Sequence, residues 1–214
     1  MLRAFYILPP PCPRFADPHA GRINQNTCGW KGFVEMREKR LNTVVRIGAL
    51  AAVAFLLQML GTFMGLKIGG FLEIEFSDLP ALIGAFALGP MAGVLVELIK
   101  NLLHCLVTST GFVGELANFI VNGIFVLVAG TIYKFNRTRR GALIALIISI
   151  FAMTAAGMLA NMLILLPLYM PQADFASKLK IVLYTITPFN LCKGAVLSLI
   201  TFLCYKKLKP LLFS

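Results

Sequence analysis

Long apolar runs follow one another through residues 44–205, with only short polar interruptions. About 20 consecutive apolar residues let a helix cross the roughly 30 Å hydrocarbon core of a bilayer. Of the 214 residues, 58% are hydrophobic and 14% are charged, whereas a soluble domain is about 45–50% apolar. The sequence therefore predicts an all-α integral membrane protein that folds as one bundle of six transmembrane helices.

Basic residues lie in clusters beside the apolar runs, at residues 37–40 with Arg46, at 134–140 and at 206–209. Such clusters are retained on the cytoplasmic side of a membrane. Both termini are therefore predicted to be cytoplasmic. The net charge of +11 is explained by this orientation, and no nucleic-acid partner is predicted.

Residues 1–40 differ from the rest of the chain and are interpreted as a cytoplasmic extension. They are rich in proline near the start, with Pro9, Pro10, Pro11 and Pro13, and they lack the pattern of a signal peptide. Two interpretations stay open, a disordered tail or a translation start at Met36. Residues 41–209 are predicted to form the membrane domain.

Six spans are predicted within that domain. The first covers about residues 43–66, and residues 76–108 are divided at Gly89-Pro90 into a short second span and a third, because proline lacks the amide proton that a helix interior needs. The last three spans cover about residues 115–133, 142–166 and 184–205, the fifth ending at Pro167. Residues 67–75 and 168–183 are expected to be outer loops.

Five polar residues are expected in the outer half of the last three spans, namely Glu115, Asn118, Asn161, Asn190 and Lys193. At a rise of about 1.5 Å per residue, each lies within roughly 15 Å of the outer end of its span. Polar groups in a bilayer usually line a cavity or pair with one another. The set suits a neutral small molecule rich in hydrogen-bonding groups, although interhelical hydrogen bonds alone would also explain it.

A second polar group, Glu97, Lys100, Asn101 and His104, has the spacing of one stripe on the third span. A structural role is favoured, in which Glu97 and Lys100 neutralise each other and His104 reaches the headgroup region or the ligand. Asp78 is interpreted as a helix N-cap whose carboxylate also faces the outer cavity.

The sequence lacks the common catalytic and metal-binding motifs. With His19 and His104 as the two histidines there is no HExxH motif, and no GxSxG motif or phosphate loop occurs. The five cysteines have no metal-ligand spacing and are interpreted as free thiols. We therefore expect no enzyme activity, no metal and no resident cofactor, so that any ATP must be hydrolysed by another subunit.

Four segments carry a resemblance to a known family. They are FSDLPALIGAFALGPMAGVLVELIKNLLH at residues 76–104, GELANFIVNG at 114–123, ANMLILLPLYMP at 160–171 and PFNLCKG at 188–194. Together they resemble the riboflavin-specific S components of energy-coupling factor (ECF) transporters, over about residues 40–208. The first segment is long and specific, whereas PFNLCKG alone would be weak.

The resemblance implies a protein of the bacterial cell membrane that captures riboflavin outside. It would dock on a transmembrane coupling protein that carries two ATPases. In that family, Asn161, Asn190 and Lys193 would contact the flavin. The small residues Gly48 and Ala52 of the first span would contact the coupling protein, although internal packing is the alternative.

The complete predicted substrate-binding set adds residues that the resemblance does not specify. Phe71 or Tyr169 is expected to stack on the isoalloxazine. The full set is Phe71, Asp78, Glu115, Asn118, Asn161, Tyr169, Asn190 and Lys193. The alternatives that stay open are an S component for FMN or another vitamin, a membrane enzyme, and a purely structural membrane subunit.

Overall fold

The computed structural model of the chain describes residues 25–64, 67–68, 72–73, 76–107 and 111–212. These residues are almost entirely helical, apart from the antiparallel pair β1 (Lys67–Ile68) and β2 (Leu72–Glu73). The helices are α1 (Gln25–Met64), α2 (Asp78–Leu88), α3 (Pro90–His104), α4 (Gly111–Phe135), α5 (Arg139–Ala160), α6 (Leu166–Tyr169), α7 (Phe175–Ile181) and α8 (Thr187–Leu212).

Two short π-helical segments join consecutive helices. The first π segment, Asn161–Leu165, makes α5 and α6 one continuous helix, and the second, Val182–Ile186, does the same for α7 and α8. The described residues thus form six continuous helical segments. Four of them are long and apolar enough to cross a membrane, whereas α2 and α3 are shorter. The prediction of an all-α six-helix membrane bundle is confirmed.

The predicted break between the second and third spans is present at Gly89. This residue has φ +109°, a conformation that glycine adopts readily and other residues rarely do. Pro90 then occupies the first turn of α3, where its missing amide proton costs no hydrogen bond. The uncharged turn therefore forms because glycine supplies the backbone angle and proline starts the next helix.

The first helix begins at Gln25 rather than near residue 43. Its added turns contain good helix formers, and Lys39 forms an exposed ion pair with Glu35, with 2.9 Å between Nζ and Oε1. Such i, i+4 pairs stabilise a helix modestly.

The chain divides into two units, Met1–Arg46 and Ile47–Ser214, and the features described below lie in the second.

Pro167 does not end the fifth span, contrary to the prediction. It is the second residue of α6, directly after the first π segment, where the hydrogen-bonding register changes and a residue without an amide proton is tolerated. The predicted outer loop at 168–183 is correspondingly short, because α7 already begins at Phe175. The last span therefore starts well before residue 184.

Helix α4 packs against α2, α3 and α5, and α8 packs against α2 and α5. Two glycines allow α3 and α4 to approach closely. A Cβ on Gly93 would lie 2.5 Å from Val126 Cγ1, and one on Gly130 would lie 2.9 Å from Pro90 Cα. The α2–α8 contact brings together Asp78 and Lys193, two residues of the predicted substrate-binding set.

Candidate functional site

A buried chain of charges connects α2, α3 and α8. Lys193 Nζ lies 3.0 Å from Asp78 Oδ2, and Lys100 Nζ lies 2.6 Å from Asp78 Oδ1 and 2.7 Å from Glu97 Oε2. The side chains of Asp78, Glu97 and Lys100 are fully buried, and that of Lys193 is 8% exposed. Pairing is what makes buried charges tolerable, because an isolated one would cost several kcal/mol to dehydrate.

The prediction that Asp78 is the N-cap of α2 is wrong. Ser77 precedes the helix and makes no side-chain capping hydrogen bond, and Asp78 is the first helical residue. Lys100 Nζ instead donates to Ser77 Oγ at 3.1 Å as well as to Asp78. The Asp78 carboxylate thus binds the two lysines instead of capping the helix. Both ion pairs are buried, and an ion pair is stronger away from water.

A second buried group connects α1, α3 and α4. His104 Nδ1 lies 2.8 Å from Glu115 Oε1, Gln58 Nε2 donates to Glu115 Oε2 at 3.4 Å, and Thr62 Oγ1 lies 3.3 Å from His104 Nε2. The His104 side chain is 3% exposed. Its position beside Glu115 therefore replaces the expected contact with the headgroup region.

The carboxamides of Asn161 and Asn190 both lie close to Gly157. Asn161 Nδ2 donates to the Gly157 carbonyl oxygen at 2.8 Å, and Asn190 is packed so closely that a Cβ on Gly157 would lie 3.1 Å from Asn190 Cγ. Asn190 Nδ2 donates to the Ile186 carbonyl oxygen at 3.1 Å. Two predicted site residues, one in the first π segment and one on α8, are thus brought together by one glycine.

The two π segments lie at this same place. Asn161 is the first residue of one π segment, and the other ends at Ile186, four residues before Asn190. The segments pack against each other, and the first also packs against α4. π segments occur frequently at functional sites, since the extra residue re-aims side chains and frees backbone groups.

Asn118, Tyr169 and Phe71 are the remaining predicted substrate-binding residues. Asn118 accepts a hydrogen bond from Asn122 Nδ2 on its own helix, and Tyr169 is half-exposed. Phe71 lies outside the described residues. Gly48 and Ala52 are exposed on α1 while Ala51 and Ala54 are buried, so packing within the described bundle does not cover the small-residue pair.

Sequence reasoning missed three members of this region, Gln58, Thr62 and Gly157. Gln58 has a clear signal in the sequence, because it is the one strongly polar residue in the apolar run from Val53 to Leu60. Such residues seldom lack a function or a partner. Gly157 carried no recognisable signal, because its importance depends on a neighbour 33 residues away in α8.

Within the part of the chain that the structure describes, no group of three histidine, cysteine or acidic residues is arranged to hold a metal ion. The region therefore offers ammonium, carboxamide and carboxylate groups for hydrogen bonding.

Comparison with known proteins identifies the family. The profile of the family described as "ECF transporter, substrate-specific component" matches residues 42–205.

The chain belongs to the ECF transporter S-component family. It is 39% identical over 179 residues to the riboflavin transporter RibU of Staphylococcus aureus (strain TCH60), which aligns 80% of this chain with 91% of that protein. It is 33% identical over 180 residues to the riboflavin transporter FmnP of Bacillus subtilis (strain 168). That alignment covers 80% of this chain and 94% of that protein.

The fold agrees with a solved structure as well. The chain resembles the structure described under "Structure and mechanism of the S component of a bacterial ECF transporter", with a TM-score of 0.70 and 35% identity, covering 82% of this chain and 99% of that one. The chain is therefore a multi-pass S component of the bacterial cell membrane, a transporter subunit rather than an enzyme. The family resemblance of the sequence is confirmed.

Proposed function

We propose that this S component captures riboflavin outside the cell for ATP-driven import. The observation that carries the proposal is the convergence of Asn161 and Asn190 at Gly157, beside two π segments and near the Asp78–Lys193 pair. Two relatives that align over most of their length are named riboflavin transporters. A flavin offers both the flat ring and the polar edges that such a set can bind.

The buried charges favour a neutral ligand over a phosphorylated one. Three carboxylates, those of Asp78, Glu97 and Glu115, face the ammonium groups of Lys100 and Lys193 and the ring of His104. Even with His104 protonated, three cations are balanced by three anions. A phosphate would have to displace an existing partner of Lys193, so riboflavin is favoured over FMN, which we keep as the alternative.

Asn161 supplies the most direct contact in this proposal. Its Oδ1 atom is buried and has no hydrogen-bond partner among the described residues, while its Nδ2 atom is already used by the Gly157 carbonyl. An orphaned buried acceptor is costly. We propose that a ring N–H or a ribityl hydroxyl of riboflavin donates to it, with Asn190 and Lys193 serving the adjoining polar atoms.

The remaining predicted contacts complete the proposal at the rim of the site. Glu115 and Asn118 are three residues apart on α4 and would contribute a carboxylate and a carboxamide, and Asp78 pairs with Lys193. Phe71 or Tyr169 would stack on the isoalloxazine ring, since aromatic pairs stabilise a complex by about 0.5–1.5 kcal/mol beyond the area that they bury.

The partner surface is proposed to be the exposed small residues of α1. Gly48 and Ala52 are exposed, and no atom lies within 4 Å of a Cβ built on Gly48. Small residues let a second helix approach closely within a membrane. In the proposed assembly, a transmembrane coupling protein contacts this surface and two ATPase subunits hydrolyse the ATP, consistent with family membership in ECF transporters.

Uptake into proteoliposomes tests the proposed function. The full chain is reconstituted with and without the coupling protein and ATPases of its source bacterium, and labelled riboflavin, FMN and thiamine are each offered outside. We expect ATP-dependent accumulation of riboflavin with the complete assembly only. Accumulation of FMN or thiamine in its place would contradict the assignment of the ligand, and accumulation without the ATPases would contradict the mechanism.

A further inference from the structure

A separate cavity lies between the α2–α3 turn and the end of α4. It has a volume of about 260 Å³, and its lining includes Phe86, Gly89, Pro90, Tyr133, Lys134 and Arg137. None of these residues belongs to the candidate riboflavin site. The cavity is far larger than a water molecule, whose share of liquid volume is about 30 Å³, yet smaller than a typical pocket for a complete drug-sized ligand.

The cavity has an apolar floor and a basic mouth. Phe86 and Tyr133 are buried and stack with 4.4 Å between their ring centroids, whereas Lys134 and Arg137 are exposed. Met91, also in the lining, is 64% exposed. A molecule that fits this arrangement combines an anionic group with adjoining apolar groups.

Among the described residues, no carboxylate pairs with the two cations at the mouth. The sequence has no acidic residue between Glu115 and Asp174, and neither Lys134 nor Arg137 forms an ion pair with a residue that the structure describes. The basic cluster at residues 134–140 is predicted to be cytoplasmic. The cytoplasmic leaflet is the one that carries anionic lipids and attracts such residues.

We propose that this cavity binds the headgroup phosphate of one anionic phospholipid from the cytoplasmic leaflet. Lys134 and Arg137 hold the phosphate, Arg137 being able to donate two parallel hydrogen bonds. The glycerol backbone and the start of the acyl chains lie against Met91 and the apolar wall. The lipid would thereby fill the space beside the Gly89 turn and fix the inner ends of α2, α3 and α4 relative to one another.

Native mass spectrometry and thermal unfolding of the full chain in detergent test this proposal. The probes are a short-chain phosphatidylglycerol, the matching phosphatidylcholine, and inorganic phosphate. Phosphatidylglycerol is expected to bind at one molecule per chain and to raise the apparent Tm by about 3 °C or more at saturation. An equal shift with phosphatidylcholine, or a shift with inorganic phosphate alone, contradicts recognition of an anionic lipid.

Two double variants separate a defined site from general attraction by the basic cluster. Lys134→Gln with Arg137→Gln removes the cations that line the cavity, and Arg139→Gln with Arg140→Gln removes two others from the same cluster. Both lower the net charge by two. The first should weaken phosphatidylglycerol binding by on the order of tenfold, and the second should leave it within about twofold. Equal losses in both overturn the proposal.

A third variant covers the case in which the first pair unfolds. Met91→Glu retains both cations and places a carboxylate on an exposed position of the lining, where it competes with the phosphate. We expect this variant to keep its Tm without lipid and to lose the phosphatidylglycerol-dependent shift. Retention of the full shift in Met91→Glu shows that no phosphate occupies the cavity.

Discussion

Asp78 and Lys193 form a buried ion pair between α2 and α8, with 3.0 Å between Oδ2 and Nζ, and the other carboxylate oxygen of Asp78 binds Lys100 of α3. One carboxylate thus joins three helices and supports an ammonium group within the candidate site. The arrangement makes Asp78 a positioning residue for Lys193, in addition to any contact of its own with riboflavin.

The first prediction concerns the unequal importance of the two partners. Asp78→Asn removes the one carboxylate that contacts both buried ammonium groups, whereas Lys193→Met leaves Asp78 still paired with Lys100. Asp78→Asn should lower the free energy of unfolding by about 3 kcal/mol, and Lys193→Met should lower it by clearly less. Thermal unfolding of both variants in one detergent measures the difference. Equal destabilisation would show that Asp78 does not serve both lysines.

The second prediction concerns Gly157. In Gly157→Ala the added methyl group must displace the Asn190 carboxamide, because the two would otherwise overlap. Such overpacking costs about 1–3 kcal/mol. Riboflavin affinity should fall about tenfold while the bundle stays folded. Gly123→Ala is the matched control, because its Cβ would meet Phe119 at an ordinary 3.7 Å. An affinity unaffected by Gly157→Ala would separate Asn190 from the binding site.

The third prediction concerns the unpartnered acceptor of Asn161. Asn161→Leu removes Oδ1 and keeps the branched shape of the side chain, so riboflavin affinity should fall by about tenfold, the equivalent of one hydrogen bond. Thr154→Val is the control on the same helix, since Thr154 Oγ1 likewise donates to the backbone of its own helix, at Ile150. Fluorescence quenching of riboflavin measures both. Comparable losses in the two variants would indicate a general loosening of α5.

The fourth prediction separates capture from transport. Gly48→Leu and Ala52→Leu enlarge exposed residues of α1 and should block the close approach of a partner helix. Riboflavin binding by the isolated chain should be unchanged, while uptake by the complete assembly should fall at least about tenfold. Val53→Leu enlarges a neighbouring exposed residue on another side of α1 and should preserve uptake. Wild-type uptake by Ala52→Leu would place the coupling protein elsewhere.

Much of the bundle could be predicted because the membrane imposes simple rules on sequence. Apolar length identified the helices, and Gly89-Pro90 located the break between α2 and α3. The expectation that the fifth span ends at Pro167 was wrong for a physical reason. A proline ends a regular α-helix, but the π segment at Asn161–Leu165 changes the hydrogen-bonding register just before it, and sequence patterns carry little information about such segments.

The candidate site was only partly predictable, since depth in the membrane is a one-dimensional property. Predicted depth placed Asn161, Asn190 and Lys193 at a similar height in the membrane. It did not reveal that Lys193 is paired with Asp78 or that His104 is paired with Glu115. Those pairs depend on how helices are rotated and packed around α4. Gln58 and Gly157 became meaningful only when their neighbours in other helices were known.

The central claim is that this chain alone binds riboflavin, and a fluorescence titration of the purified full-length protein in detergent tests it most directly. Riboflavin fluorescence should be quenched to saturation at one molecule per chain, with a Kd below about 1 μM, and FMN should compete poorly. Unquenched riboflavin fluorescence with the folded protein in micromolar excess would contradict the account.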